Sequence, residues 1–385
     1  MGRKNEYGEG LCIGDVYRQS FPIYAIEQYE NRFITVALTM KYICLPLLFP
    51  IVLMLTFCGC DEPLASPKPA TSVAETDPFV QNRKLTRSIN LGNMLEAPAE
   101  GEWGLTLEAE YFSIIAEAGF TGIRLPVRWS AHADTAAPYA LDPAFLARVD
   151  WAIDQAFEQN LAIVVNTHHY VEMMTAPAEH LPRLLGIWGQ LASHFADRSD
   201  NLILELFNEP NDAFSSNLWN NYLRQIIDTI RVYDSTRTLI VGTAPWGGID
   251  GLENLELPED SNLIVTVHYY NPFHFTHQGA EWSEGADAWL GTLWGTQAGD
   301  FSDLQYDFQR IKSWSLDHNR AINIGEFGAY HRADITSRVI WTRSVVTLSE
   351  ELGFSWSYWE FASGFGAFDP GKGQWNELLS ALIQN

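Results

Sequence analysis

Short apolar runs alternate with longer amphipathic stretches from about residue 86 to the end of the chain. The runs have the length of strands, and the run LILELF at residues 202–207 is apolar at nearly every position, which is typical of a parallel strand buried on both faces. The stretches between them repeat their apolar positions with helical spacing. We predict strands at residues 87–91, 122–127, 161–167, 201–207, 238–242, 262–268, 321–326 and 354–359. We predict helices at residues 106–118, 142–159, 181–197, 218–234, 303–317 and 335–352.

Eight strands linked by helices predict the α/β fold class and, within it, a (β/α)8 TIM barrel. The connection after the fifth strand, residues 244–261, is short and rich in turn residues, so we expect its helix to be degenerate. A doubly wound open sheet would show the same alternation. Its first strand would typically lead into a glycine-rich phosphate turn, and the sequence NLGNM at residues 90–94 does not match G-x-G-x-x-G. We therefore predict one barrel domain over residues 83–385.

The first 82 residues differ from the rest of the chain. Residues 1–39 mix charged and aromatic residues without periodicity, and within residues 40–60 a positive residue precedes about fifteen apolar ones. This pattern is typical of a secretory signal and is short for a membrane-spanning helix. We interpret Met40 as the biological start and residues 1–39 as a mis-called upstream extension. A genuine long leader is the alternative.

The apolar run ends in the sequence LTFCGCD at residues 55–61. This resembles a bacterial lipoprotein signal, in which cleavage precedes a cysteine that is then lipidated. The small Gly59 favours Cys60 over Cys58 as the lipidated residue, and a plain secretory signal is the alternative. Residues 61–82 are rich in Pro, Ala, Ser and Thr, which predicts a flexible tether. We expect an exported protein that is anchored to a bacterial membrane by lipid, or else secreted or periplasmic.

The formal net charge of −24 narrows the choice of partners. Such a surface repels nucleic acid and anionic membranes, so we expect no nucleic-acid partner and a neutral substrate. The 14 Trp residues exceed what a core needs, and flat aromatic faces suit sugar rings. All four Cys residues precede residue 61, which leaves the barrel without a disulfide, a thiolate metal site or a cysteine nucleophile. We expect a monomer that needs no cofactor.

Two glutamates stand at the ends of predicted strands. The fourth strand leads into Asn208, Glu209 and Pro210, where the proline stops it, and the seventh strand ends at Glu326. Catalytic groups of α/β barrels sit at the C-terminal ends of the strands. Either glutamate alone could be a helix cap or a loop residue. Two carboxyl groups at the same end of the barrel are the catalytic residues that glycoside hydrolysis requires.

Further polar and aromatic residues end the other strands. They are Arg124, His168, His169, Asn208, His268, Tyr270 and Trp359. The ordered set resembles glycoside hydrolase family 5, which includes many cellulases and mannanases, and the resemblance extends from about residue 86 to the C-terminus. It implies that Glu209 is the general acid/base and Glu326 the nucleophile, with the other residues holding the substrate or the carboxylates. Residues 271–282 and 354–369 are similar to endoglucanase members of the family.

The implied roles suit the chemistry of these side chains. A retaining mechanism needs one ionised and one protonated carboxyl group. Arg124 and Tyr270 can donate to Glu326 and hold it ionised, whereas burial and the charge of Glu326 would raise the pKa of Glu209. The remaining implied roles are a hydrogen bond from Asn208 to the sugar 2-hydroxyl, a stacking floor at Trp359, and contacts of His168 and His268 with hydroxyls or carboxylates.

Several alternatives stay open. Arg124 could instead pair with Glu205, which shares the face of Glu209 by two-residue alternation. His168 and His169 could be metal ligands, although a metallohydrolase barrel would need further His or Asp residues at matching rims, and we predict no metal. Additional candidates for substrate contact at the same rim are Asn93, Glu96, Trp246 and Trp282.

The sequence thus predicts a retaining endo-β-1,4-glucanase that hydrolyses β-glucan chains with two glutamates. A β-mannanase, a lichenase or a xyloglucanase would use the same chemistry on another neutral β-glycan. A metal-dependent barrel hydrolase is a further alternative. A surface lipoprotein that binds glycans without cleaving them is the alternative outside enzymes, and the presence of both glutamates argues against it.

Overall fold

A computed structural model of the chain describes residues 77–384. The predicted upstream extension, the signal, the lipidated Cys60 or Cys58 and most of the tether lie outside the described residues. Within them, eight parallel strands form a closed barrel in which the first strand pairs with the last. The strands are β1 (Arg87–Asn90), β2 (Gly122–Leu125), β3 (Ala162–Asn166), β4 (Leu202–Glu205), β5 (Leu239–Gly242), β6 (Leu263–His268), β7 (Ala321–Glu326) and β8 (Ser355–Tyr358). The predicted TIM barrel is confirmed, and the predicted strands extend at most two residues beyond the observed ones.

Helices cover the outside of the barrel and link its strands. They are α1 (Pro78–Lys84), α2 (Ala109–Ala118), α3 (Pro143–Glu158), α4 (Val171–Thr175), α5 (Pro177–Phe195), α6 (Ser216–Arg231), α7 (Phe273–Thr276), α8 (Ala298–His318), α9 (Ile335–Leu352) and α10 (Leu379–Leu382). The last strand is followed by a small hairpin of β9 (Phe368–Asp369) and β10 (Gln374–Trp375). All six predicted helices are present.

Local signals explain where individual helices begin and end. Asp334 accepts a hydrogen bond from the backbone N–H of Ser337, and α9 ends at Gly353, whose φ of 76° suits glycine. Helix α5 begins at Pro177, four residues before the prediction, because proline fits the first helical turn. The fifth connection contains only a 3₁₀ turn, Ile249–Asn254, as its turn-rich sequence predicted.

Helix α1 closes the N-terminal end of the barrel. It begins at Pro78, so the predicted boundary between tether and barrel at residues 82 and 83 falls inside a helix. The side chain of Asn82 donates to the backbone oxygen of Ile322 at 2.9 Å and accepts from Ser355 Oγ at 2.7 Å. Seven residues offer too short a stretch for an apolar repeat to stand out. No helix within residues 77–384 has both the length and the apolar character of a membrane span.

Candidate active site

Arg124 lies at the centre of the C-terminal end of the barrel and is fully buried. Its Nε and Nη2 atoms donate to the two carboxylate oxygens of Glu205, each at 2.7 Å. Its Nη1 atom donates to Glu326 Oε1 at 2.6 Å and to Asn90 Oδ1 at 2.9 Å, and Nη2 also donates to Asn208 Oδ1 at 2.8 Å. The two predicted partners of Arg124 are therefore both present, because a guanidinium offers five donors in a fixed fork.

Glu326 ends β7 and is 5% exposed. Its second carboxylate oxygen accepts a hydrogen bond from the Tyr270 hydroxyl at 3.0 Å. Burial raises the pKa of Glu326, His268 and Arg124 oppose that shift, and the charge of Glu209 adds to it. The predicted donors are in place, but they do not offset burial, so Glu326 ionises at a higher pH than an ordinary glutamate.

Tyr270 stays a hydrogen-bond donor to Glu326. Burial of its hydroxyl and the charges of Glu326 and Glu209 raise its pKa well above the ordinary value for tyrosine. The phenol is therefore protonated at neutral pH, and its hydroxyl donates to the carboxylate.

Glu209 stands four residues beyond the end of β4, on a backbone with a φ of 47°. Its side chain is 22% exposed, and its Oε1 atom lies 2.6 Å from His268 Nδ1. His268 Nδ1 is also 3.6 Å from Glu326 Oε2, and one carboxylate oxygen of each glutamate lies within 4.8 Å of the other. The carboxyl group of Glu209 is therefore the more exposed of the two and faces the cleft, and the carboxyl group of Glu326 beside it is buried.

His268 ends β6 and lies beside both carboxyl groups, those of Glu209 and Glu326. Burial alone would lower its pKa, but the charges of Glu326 and Glu209 outweigh burial and raise it. An imidazole that binds a proton more readily than usual can pass that proton to Glu209 through their short hydrogen bond.

Comparison with known proteins identifies the family to which the chain belongs. The pattern of the family Cellulase (glycosyl hydrolase family 5) matches residues 86–364. The chain belongs to glycosyl hydrolase family 5. Endoglucanase H of Acetivibrio thermocellus is 35% identical over 326 residues, which are 83% of this chain and 35% of that protein. The chain thus spans about a third of the length of this relative.

Solved structures of the family share the barrel. Endoglucanase Cel5A of Thermotoga maritima is 48% identical, with a TM-score of 0.79 over 80% of this chain and all of that one. Structures of that enzyme contain cellobiose in one case and mannotriose in another. The cellulose synthase subunit Z of Clostridioides difficile is 36% identical, with a TM-score of 0.76 over 78% of this chain and all of that one. The chain thus shares both its sequence and its barrel with members of the cellulase family.

Two histidines of this family 5 protein follow β3. His168 is buried, accepts a hydrogen bond from Asn166 Nδ2 at Nδ1 (3.1 Å), and lies parallel to the Trp359 ring at 5.9 Å between centroids. Burial lowers the pKa of His168 well below its ordinary value, and His169 and Arg124 lower it further, so its ring is neutral. His169 is exposed to the cleft.

Within residues 77–384, His168 and His169 belong to no group of His, Cys, Asp and Glu side chains with metal-like spacing. Among the described residues, the group with metal-like spacing is instead Glu209, His268 and Glu326. Both oxygens of Glu326 already accept hydrogen bonds from Arg124 and Tyr270, and the guanidinium charge would repel a cation placed beside it. This set of donors suits acid–base chemistry better than metal ligation.

Exposed tryptophans surround the cleft. Trp246 is 58% exposed and its backbone N–H donates to Pro210, which adjoins Glu209. Trp282 is 62% exposed and packs edge-on against Tyr330. Trp103, which the sequence analysis missed, lies 5.5 Å from the His169 ring and is 40% exposed. Each presents a flat apolar surface to solvent.

Glu96, which was predicted to contact the substrate, instead folds back onto its own loop. It is fully buried, and its carboxylate accepts hydrogen bonds from the backbone N–H groups of Asn93 and Met94. Because both oxygens face the turn after β1, this side chain does not face the cleft. Asn93 is partly exposed at a φ of 65°, a conformation that the same turn imposes.

Strained backbone marks the site as well. Four predicted rim residues have positive φ values, namely Asn93, His169, Glu209 and Trp246. Residues other than glycine rarely adopt this conformation, and such strain concentrates at functional sites.

Asn90, a polar residue inside the barrel that the sequence did not single out, bonds to three strands. Asn90 donates from Nδ2 to the backbone oxygens of Gly325, Ser357 and Tyr358, and it accepts from Arg124. Asn90 is fully buried at the end of β1. That placement was the signal available, because a buried strand rarely carries an amide without a specific partner.

Proposed function

We propose that this protein is a retaining endo-β-1,4-glucanase with Glu326 as the nucleophile and Glu209 as the general acid/base. The observation that carries the proposal is the spacing of the two glutamates, whose carboxylate oxygens approach within 4.8 Å. Retaining enzymes hold their carboxyl groups ~5–5.5 Å apart, whereas inverting enzymes need ~6.5–9.5 Å to admit a water between them.

In the first step the Glu326 carboxylate attacks the anomeric carbon. The bond from that carbon to the leaving oxygen breaks, and Glu209 gives its proton to that oxygen. In the second step Glu209 takes a proton from water, the water oxygen bonds to the anomeric carbon, and Glu326 leaves as a carboxylate. The anomeric configuration is inverted twice and is therefore retained.

The surroundings of the two glutamates suit these opposite tasks. Arg124 and Tyr270 stabilise the anion of Glu326 by direct hydrogen bonds. Glu209 has no cation other than His268 among its ion-pair partners within residues 77–384, and its more exposed side chain can reach both a glycosidic oxygen and a water. His268 supplies or accepts a proton at Oε1 of Glu209.

Asn208 is oriented for the sugar. Because Arg124 only donates, the Asn208 oxygen faces the guanidinium and its amide nitrogen faces the other way. That nitrogen has no acceptor among the described residues, which leaves it for the 2-hydroxyl of the reacting sugar. A bond to this hydroxyl strengthens in the transition state.

The nature of the cleft supports a neutral β-linked polysaccharide as substrate. Exposed tryptophans line it, and the protein carries a net charge of −24 that disfavours polyanions. Cellobiose bound to the Thermotoga maritima enzyme supports β-1,4-glucan. Mannotriose bound to the same enzyme favours β-mannan as a second candidate substrate. Release of reducing ends from glucan, mannan, mixed-linkage glucan and xyloglucan would rank them.

The roles of the glutamates are tested with an aryl glycoside, whose leaving group hardly needs a proton. Glu209→Ala should lose ~10²–10⁴-fold activity on polysaccharide. On a nitrophenyl cellobioside it should still show a burst of nitrophenol, a slow steady state, and faster turnover with azide. Glu326→Ala should show no burst with either substrate. A burst in Glu326→Ala and none in Glu209→Ala would reverse the assignment.

A further inference from the structure

The loop after β1 packs directly against the back of the Trp359 ring. A Cβ atom on Gly92 would lie 3.1 Å from Trp359 Cη2 and 3.5 Å from Glu360 Cβ. The contact with Trp359 is tighter than most Cβ contacts, so a side chain at residue 92 would displace the Trp359 ring by a few tenths of an ångström. The position of the Trp359 ring therefore depends on two loops, one formed by residues 91–96 and the other by residues 359–365.

Glu360 holds the second loop together. It is fully buried, and its Oε1 atom accepts hydrogen bonds from Ser363 N (2.7 Å), Ser363 Oγ (2.5 Å) and Phe365 N (3.3 Å). Its Oε2 atom accepts from Ala362 N at 3.3 Å. One carboxyl group thus fixes the turn that directly follows Trp359.

Glu96 holds the first loop in the same way. It is fully buried and accepts from the backbone N–H groups of Asn93 and Met94. The charges of Glu96 and Glu360 act on each other. Within residues 77–384 no Lys, Arg or His forms an ion pair with either carboxyl group, in contrast to Glu205 and Glu326, which share Arg124. Two buried carboxyl groups without a cation cannot readily both be ionised.

We propose that Glu96 and Glu360 are positioning residues that hold the two loops against Trp359, and that Glu96 does so as a neutral carboxylic acid. A neutral Glu96 still accepts the two backbone hydrogen bonds and spares Glu360 a second charge nearby. The role of Trp359 as the floor for the reacting sugar rests on the proposed function. The role of the two carboxyl groups in holding the loops is independent of the proposed function.

Glu96 and Glu360 should together make the folded protein less stable as the pH rises. Burial raises the pKa of Glu96 to about 8, backbone hydrogen bonds lower it, and Glu360 raises it. Burial likewise raises the pKa of Glu360 to about 7 against hydrogen bonds from its own loop. Tyr358 lies near both Glu360 and Arg338, and burial raises its pKa to about 12. A carboxyl group with a raised pKa contributes stability at low pH, and that contribution is lost as pH rises through its folded pKa.

The test compares wild type with Glu96→Gln, Glu360→Gln and the double variant, because glutamine removes the titratable proton and keeps one accepting oxygen. The Tm of wild type should fall between about pH 4.5 and pH 8, the interval between the ordinary pKa of a glutamate and the raised pKa of Glu96, and the glutamine variants should flatten that fall. Glu100→Gln is the matched control, since Glu100 lies in the same β1–α2 connection but pairs with Arg148. It should keep the wild-type pH dependence. Equal slopes in wild type and the double variant would overturn the proposal.

The kinetic readout tests the link to Trp359. Glu360→Ala should lose about 10-fold or more in kcat/KM on soluble glucan at pH 6, because small displacements of a substrate-positioning group are costly. Glu360→Gln should recover most of that loss. If alanine and glutamine variants had wild-type KM and kcat, the positioning role would be wrong. If wild type showed the Tm profile but cleaved no glycan, the proposed function would fail and the carboxyl pair would stand.

Discussion

Arg124 organises the site because one guanidinium contacts two carboxylates and two amides at once. Lysine at this position would keep the charge but lose the bidentate bond to Glu205 and the reach to Glu326. We expect Arg124→Lys to lose ~10²-fold or more in kcat/KM, since the nucleophile and Asn208 both lose their positions. Arg87→Lys is the control, because Arg87 makes a bidentate pair with Glu350 away from the cleft. Similar small losses in both variants would contradict the central place of Arg124.

Tyr270 offers a test of how Glu326 stays ionised. A hydrogen bond to a charged group contributes ~1.5–3 kcal/mol, and one pKa unit corresponds to about 1.36 kcal/mol. Tyr270→Phe removes a donor to the anion, so the pKa of Glu326 should rise further. The acid limb of kcat/KM should therefore move to higher pH by about one to two units.

The neighbouring Tyr269 is the control for this experiment. Its hydroxyl donates to Asp307 at 3.1 Å. Tyr269→Phe removes a buried hydroxyl without touching Glu326, so its acid limb should stay at the wild-type pH. Equal shifts in the two variants would show that the Tyr270 hydroxyl does not stabilise the nucleophile.

Individual site residues could be predicted from the sequence where their position follows from the register of a strand. Arg124, His268 and Glu326 lie on or at the end of apolar strands, and the barrel brings such ends together. Glu96 could not be placed in this way. Whether a carboxylate in a turn faces the cleft or folds back onto its own backbone depends on loop torsions that no repeat of apolar residues encodes.

Among the elements, the long helices and the eight strands were predictable because each repeats its apolar positions over enough residues. Helix α1 was not, since seven residues with two buried polar side chains show no such repeat. The contacts of helix α1 show that it closes the barrel, because Asn82 forms hydrogen bonds with residues at the starts of β7 and β8.

We expect Asn82→Ala to lower the free energy of unfolding by ~1–3 kcal/mol, because it leaves a buried carbonyl and a hydroxyl without their partner. Chemical denaturation measures this change. The kcat on soluble glucan should be unaffected, because Asn82 lies at the end of the barrel opposite the carboxylates. Lys84→Ala in the same helix removes only a partly exposed pair with Asp200 and should cost at most ~1 kcal/mol. If the Asn82 variant were no less stable than the Lys84 variant, helix α1 would not close the barrel as described.

For the whole molecule, the proposed anchor would hold an acidic barrel at a membrane by its N-terminus. We propose that the mature chain begins at a lipidated Cys60, so that residues 61–77 give the barrel reach. Expressed in full in a bacterium, the protein should partition with membranes, and Cys60→Ala should release it. Mass spectrometry of the N-terminal peptide identifies the modified residue. An unmodified N-terminus in the soluble fraction would contradict lipidation.

The central claim is that Glu326 bonds covalently to the sugar. A 2-deoxy-2-fluoro-β-cellobioside with a good leaving group slows both steps of a retaining enzyme, so the glycosyl-enzyme accumulates. Peptide mapping by mass spectrometry should find one fluoroglycosyl group, located on Glu326, and Glu326→Gln should remain unlabelled. A label on Glu209, or product of inverted anomeric configuration with no labelled enzyme, would contradict the account.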